Sequence, residues 1–193
     1  SAARLERVRY AYEIVPVGPG DRVEVGRDLA VEPFATDHVV PSLGYPLLRR
    51  RRHLRPELRG EPGRRLAELR AAGVAIEKEG EEVWLSYCGD TGAGVFDRAP
   101  RLAESRVLMI ECTFLGEAMR RRGAEYGHLH VEELLANADR LARCEAILLH
   151  HLSRRHRVAE LRAELERRAP ELAARVHLLF EPTSRDGRSA VTD

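Results

Sequence analysis

With 193 residues, 44% of them hydrophobic, and a net charge of +1, the chain is sized for one domain (1–193) with a core of its own. The near-neutral balance excludes bulk polyelectrolyte behaviour. No apolar run approaches the roughly 20 residues that a membrane span needs, and no signal peptide opens the sequence. Cys88, Cys112 and Cys144 lie far apart in apolar contexts without a Cys-x-x-Cys pair, so they read as reduced core thiols of a cytoplasmic protein rather than as a sulfur metal site. Of the 32 basic residues only Lys78 is not arginine, a bias that a GC-rich genome explains without invoking function.

In chain order, Tyr12–Val17 reads as a first strand and Gly18–Asp21 as a turn. Arg22–Val25 and Leu29–Phe34 continue as an antiparallel meander whose polar and apolar residues alternate. His38 follows in a loop beside Thr36 and Asp37, and its residue type alone suggests a surface histidine. From Arg49 to Arg70 there are nine arginines against Glu57, Glu61 and Glu68. Pro56, Gly60, Pro62 and Gly63 interrupt the first part, and Leu66 and Leu69 mark a short amphipathic helix over Arg64–Ala72. The segment 49–78 therefore reads as an Arg-rich insertion. It is either a solvated surface or a cluster in which Arg49, Arg50, Arg51 and Arg52 grip phosphates beside a site.

Three apolar runs then end in chemically capable residues. Val83–Cys88 is a strand stopped by Gly89-Asp90-Thr91, and Gly92 and Gly94 let the backbone turn, so Asp90 projects from a strand end. Val107–Thr113 carries Glu111, a carboxylate in an apolar run that needs a partner. Ala146–Ser153 carries His150 and His151, of which only one can face a common site because side chains alternate along a strand. Strand-end loops on a helix-covered sheet are rigidly held yet open to solvent, which suits a chemical group. Met119–Gly123 and Glu125–Gly127 read as a mobile connection, and Val131–Cys144 as a helix with His128 and His130 just before its first turn. Arg157–Arg168 is a further helix ended by Pro170, Arg175–Phe180 a last strand, and Thr183–Asp193 a frayed polar tail. Imidazole and carboxylate together suit Zn²⁺ or another first-row ion such as Mn or Fe.

Five stretches carry a resemblance: Thr36-Asp-His-Val-Val-Pro-Ser-Leu-Gly-Tyr45, Tyr87-Cys-Gly-Asp-Thr91, Ile110-Glu-Cys-Thr-Phe114, Gly127-His-Leu-His130 and His150-His-Leu-Ser-Arg-Arg155. In order and spacing they resemble ribonuclease Z, the tRNA 3′-end endonuclease of the metallo-β-lactamase superfamily. The resemblance implies an α/β fold of the αββα sandwich type. It is present mainly as a C-terminal half, with a mixed sheet and helices on one face, because the family's opening HxHxDH loop has no counterpart in the sequence. It also implies a site. Asp90 bridges two Zn²⁺ ions, His38 and His151 each complete one, and His128 stabilises the transition state at a helix start, helped by Glu111; His130 is structural. The implied reaction is phosphodiester hydrolysis in RNA. Hydrolysis of a small ester or thioester, or a non-catalytic half-domain that acts only with a partner, stays open beside it. An exposed apolar sheet face, and with it a homodimer or association with an N-terminal half, is expected.

Overall fold

The computed structural model describes residues 13–179; Tyr12, Phe180 and the expected tail Thr183–Asp193 lie outside the described residues. Among the described residues the strands are β1 (Val23–Glu24), β2 (Leu29–Val31), β3 (Phe34–Ala35), β4 (Leu43–Leu54), β5 (Glu77–Cys88), β6 (Val107–Glu111), β7 (Ala146–His150) and β8 (Val176–Leu178). They form one mixed sheet in the order β1-β2-β4-β5-β6-β7-β8, with β3 beside β4. Pairing is antiparallel from β1 to β5 and parallel from β5 to β8. Glu13–Val17 is irregular rather than the expected first strand.

The parallel half is connected by helices. After β5 come α2 (Val95–Arg98) and a 3₁₀ turn at Pro100–Glu104; after β6 come α3 (Glu117–Tyr126) and α4 (Val131–Ala136); after β7 come α5 (Val158–Arg168) and α6 (Pro170–Ala173). A further helix, α1 (Gly63–Ala71), lies in the β4–β5 connection. The expected mobile connection before His128 is thus a helix, closed by Gly127 in the left-handed region at φ 71°. The expected helix over Val131–Cys144 stops instead at Ala136. Asn137 donates its side-chain amide to Glu133 O, and a 3₁₀ turn over Arg140–Arg143 follows. Asn and Asp side chains compete for backbone partners in this way, which ends helices whose apolar spacing alone would continue.

The largest departure is in the Arg-rich segment. Arg49–Leu54 is no loop but the second half of the long strand β4, paired residue for residue with the acidic start of β5: Arg49 opposite Glu82, Arg50 opposite Glu81, Arg52 opposite Glu79. Pro46 sits in this strand between the stretch paired with β3 and the stretch paired with β2, where the ladder on that side is interrupted.

The sheet has two unequal faces. On one, Cys88, Leu108, Ile110, Ile147 and Leu149 are fully buried under the helices and join Leu134, Leu141, Leu161 and Leu172 in the main core. On the other, Tyr45 stands opposite Tyr87, Leu47 opposite Leu85, and Met109 between Tyr87 and Leu148. None of these six is buried, and Tyr45 and Tyr87 are 37% and 39% exposed. Side chains alternate across a strand, so β6 and β7, apolar at every position before their last residue, are suited to cover on both faces, and here only one is covered. At roughly 25 cal/mol per Å² of apolar surface, such a patch is a strong drive to association. We therefore expect light scattering on the purified chain to give a concentration-dependent mass above the 21.8 kDa monomer. Leu85→Glu combined with Met109→Glu should return it to the monomer mass, and a compact wild-type monomer at high concentration would contradict the expectation.

Candidate metal and catalytic site

Parallel strands deliver most of the group. Asp90 stands two residues past β5, Glu111 ends β6, and His151 follows β7, so all three lie at the carboxyl edge of the same sheet. His128 reaches them from the connection between α3 and α4. One ligand atom from each of Asp90, Glu111, His128 and His151 lies within 4.8 Å of all the others.

Glu111 is fully buried and surrounded by donors. Its carboxylate accepts from Thr91 N at 2.7 Å, His128 Nδ1 at 2.8 Å and Leu129 N at 3.3 Å, and from the Thr113 hydroxyl. Those bonds use its lone pairs, so it serves as a support that orients its neighbours rather than as a free ligand. Because His128 gives its Nδ1–H to this carboxylate, its Nε2 is the atom left for chemistry.

His151 takes a left-handed backbone conformation, φ 61°, the only non-glycine among the described residues to do so. That conformation costs a side-chain-bearing residue about 1–3 kcal/mol and persists where the surroundings enforce it. Here the Thr113 hydroxyl lies 3.0 Å from His151 O and 3.1 Å from its Nδ1. The kink brings Nδ1 to 3.2 Å from Asp90 Oδ1. His150 is turned elsewhere, donating from Nε2 to Cys88 O at 2.9 Å and stacking on Tyr87, and burial holds its pKa below the ordinary value.

His38 lies beside this group, not within it. Its Nδ1–H donates to Gly127 O at 2.9 Å, which leaves Nε2 as the ring nitrogen without a protein partner there, and its ring packs on His128 with centroids 4.9 Å apart. The four-residue cluster therefore unites the two residues expected to be catalytic, His128 and Glu111, with two of the three expected as ligands, Asp90 and His151.

A clamp between two loops sets these positions. Asp37 accepts Gly94 N at 2.8 Å on its carboxylate and Gly92 N at 2.6 Å on its backbone carbonyl, and pairs with Arg98 at 2.9 Å. Its own amide donates to Thr91 Oγ1, and Thr36 Oγ1 donates to Asp90 O, each at 3.0 Å. A Cβ on Gly94 would lie 2.6 Å from the Asp37 carboxylate, so glycine is required for the close approach of the loops and not only for a turn. Sequence reasoning assigned Asp37 no role; the pair of glycines two apart was the signal for a close partner.

Two expectations about this region are corrected. His128 does not sit at the start of a helix: His130 is the N-cap of α4, accepting Glu132 N on Nδ1 and donating from Nε2 to Gly116 O, while Glu133 accepts His130 N. The first-turn amides of α4 are thus next to His130, two residues beyond His128. Nor do Arg49, Arg50, Arg51 and Arg52 flank the site. They lie five to eight residues along β4 from Gly44, which pairs with Cys88 beside the Asp90 loop; at 3.3 Å per residue that is roughly 17–26 Å. Arg50 pairs with Glu24 and Glu81, Arg51 with Glu82 and Arg52 with Glu79, while Arg49 lies over the Trp84 ring.

The model of the beta-lactamase superfamily domain matches residues 2–151. The chain belongs to that superfamily. It is 31% identical over 179 residues to the chloroplastic tRNase Z TRZ2 of Arabidopsis thaliana, covering 91% of this chain and 50% of that one. It is 30% identical over 181 residues to tRNase Z TRZ1 of the same plant, covering 92% and 64%. The chain thus spans about half to two thirds of the length of these relatives. In fold it is similar to the metallo-β-lactamase fold protein YhfI of Bacillus subtilis, with a TM-score of 0.51 at 15% identity, over 86% of this chain and 54% of that one.

The donors present fit the metal ions this superfamily implies. Asp90 and His151 expose 42% and 47% of their side chains on the open side of the cluster, and carboxylate with imidazole is a donor set suited to first-row dications. Bonds from Nδ1 to Glu111 and to Gly127 O orient the rings of His128 and His38, as supporting contacts do for ligating histidines such as His38. We expect Gly94→Ala to push the Asp37 loop away, weakening Zn²⁺ binding in calorimetric titration about tenfold or more and lowering stability by about 1–3 kcal/mol. Wild-type affinity in this variant would show that the clamp does not set the site.

Proposed function

We propose that the chain supplies the larger part of a Zn²⁺-dependent phosphodiester hydrolase acting on RNA. The observation that carries this reading is the Glu111–His128 pair set within reach of Asp90 and His151 at one sheet edge. Similarity to the two tRNase Z relatives supports RNA as the substrate class. Asp90, His151 and His38 would hold the metal. When bound, the metal lowers the pKa of a water molecule and polarises the phosphoryl oxygens.

The chain's own residues do the rest. Glu111, held by four donors, keeps His128 Nδ1 protonated and its ring fixed. His128, with 16% of its side chain exposed, presents Nε2 to the cluster; in the doubly protonated ring Nε2–H would donate to the negative charge that gathers on the phosphoryl group in the transition state. Thr113 gives its one hydroxyl proton to Glu111 while its oxygen lies 3.1 Å from His151 Nδ1, so it links the orientation of the two.

A second reading is favoured by the uncovered sheet face: the chain acts as a half-domain whose apolar face takes a second sheet, in a homodimer or with a segment bearing the HxHxDH loop. Under either reading the roles divide in a measurable way. Asp90→Ala should lower bound Zn²⁺ more than His38→Ala does. His128→Ala should leave metal content nearly unchanged and slow hydrolysis of an RNA phosphodiester, in the complete enzyme or reconstituted complex, by about a hundredfold or more. Loss of metal in His128→Ala with retention in Asp90→Ala would overturn the assignment, and preferential hydrolysis of a small thioester would overturn the substrate class.

A further inference from the structure

Most exposed arginines of the β4–β5 hairpin are neutralised by glutamates, which directs attention to those that are not. Helix α3 carries Arg120, Arg121 and Arg122 in succession. Arg120 approaches Glu117 at 3.9 Å, but among the described residues neither Arg121 nor Arg122 forms an ion pair, and Glu125 pairs with neither of them. Arg122 instead places its guanidinium 5.2 Å from the ring centre of Tyr126, one turn later, and Tyr126 is 47% exposed. A surface with two unneutralised guanidiniums and a half-exposed aromatic ring held against one of them has the composition of a single-strand nucleic-acid subsite. Guanidiniums take backbone phosphate, and the ring with its stacked guanidinium takes a base face.

The position of α3 connects this surface to the chemistry. Tyr126 is followed by Gly127, the left-handed cap whose carbonyl holds His38, and then by His128 itself. A Cβ on Gly127 would lie 3.1 Å from His38 Nδ1. Arg122 is five residues before Gly127, about 7.5 Å of helix rise. A cavity of about 290 Å³ lined by His38, His128, Gly127 and Ala124 opens between the helix and the site. A nucleotide next to the reacting phosphate would therefore fall within reach of the end of α3, whereas Arg49–Arg52 are too far along β4.

We propose that Arg121, Arg122 and Tyr126 form a binding subsite for single-stranded RNA next to the scissile phosphate, each arginine taking one flanking phosphate and Tyr126 stacking on an adjacent base. The subsite rests on the RNA reading of the candidate site. It is tested by fluorescence anisotropy of a labelled single-stranded RNA oligonucleotide with the 193-residue chain across a salt series, in chelator so that nothing is cleaved. Arg121→Ala with Arg122→Ala should reduce the slope of log affinity against log salt by about 1.4, two phosphate contacts at about 0.7 each. Tyr126→Ala should weaken binding roughly tenfold at fixed salt, and Tyr126→Phe should restore it. Arg64→Ala with Arg65→Ala on α1 removes the same charge and should change neither quantity. Thermal melts matching wild type confirm that each variant is folded.

If the Arg121/Arg122 pair weakens binding no more than the Arg64/Arg65 pair, the subsite is overturned while the hydrolase reading stands. If the wild-type chain binds no RNA, both fall together.

Discussion

A single buried charge organises the candidate site. Glu111 is out of contact with solvent, and an uncompensated carboxylate in that position would cost several kcal/mol. Its donors come from separate pieces of chain: Thr91 from the loop after β5, Thr113 from just beyond β6, and His128 and Leu129 from the connection between α3 and α4. Each piece also carries or touches a residue of the site, so satisfying the carboxylate and assembling the site are one folding event. The charge acts on the neighbouring thiols too. Burial, then the Glu111 charge, pushes Cys88 up to about 12 and raises Cys112 as well, which disfavours the nucleophilic thiolate at both.

Around that centre the remaining loops are held by shape as much as by charge. The Asp37 carboxylate reaches the backbone at Gly94 because no side chain stands in the way, and the helix α3 delivers Gly127 against His38 for the same reason. His151 shows the complementary device: a residue with a side chain holds a glycine-like conformation, and its imidazole Nδ1 lies 3.1 Å from the Thr113 hydroxyl oxygen and 3.2 Å from Asp90 Oδ1. Strand alternation alone would place the two rings on opposite faces. The left-handed turn decides which of them meets Asp90.

What was legible in the sequence was whatever depends on short-range pattern. The apolar runs around Val83, Val107 and Ala146 gave the parallel strands, and polar residues at their ends gave Asp90, Glu111 and His151. The Arg-rich stretch misled because its partners are glutamates 27 to 33 residues away, at Glu79, Glu81 and Glu82; local charge counting sees an excess where the fold makes a neutral ladder. The helix over Val131 was overextended because apolar spacing continued past Asn137, whose side chain took the carbonyl of Glu133. Asp37 was passed over because its role is a contact with glycines more than fifty residues later.

The uncovered sheet face and the open side of the site follow from the same incompleteness of packing. Burial falls across the cluster, from Glu111 at 0% exposed to His128 at 16% and to Asp90 and His151 at 42% and 47%, so the supporting end is dry and the donor end is wet. The stack of His150 on Tyr87 joins that wet end to the row of Tyr45, Leu85 and Met109 on the open face. A second sheet laid on this row would bury apolar surface along its length and would end beside Asp90 and His151. There its own strand-end loops would stand beside the carboxylate and imidazole donors of the cluster. Exclusion of water from that end would strengthen every charge interaction within it, so covering the face and completing the site are physically coupled.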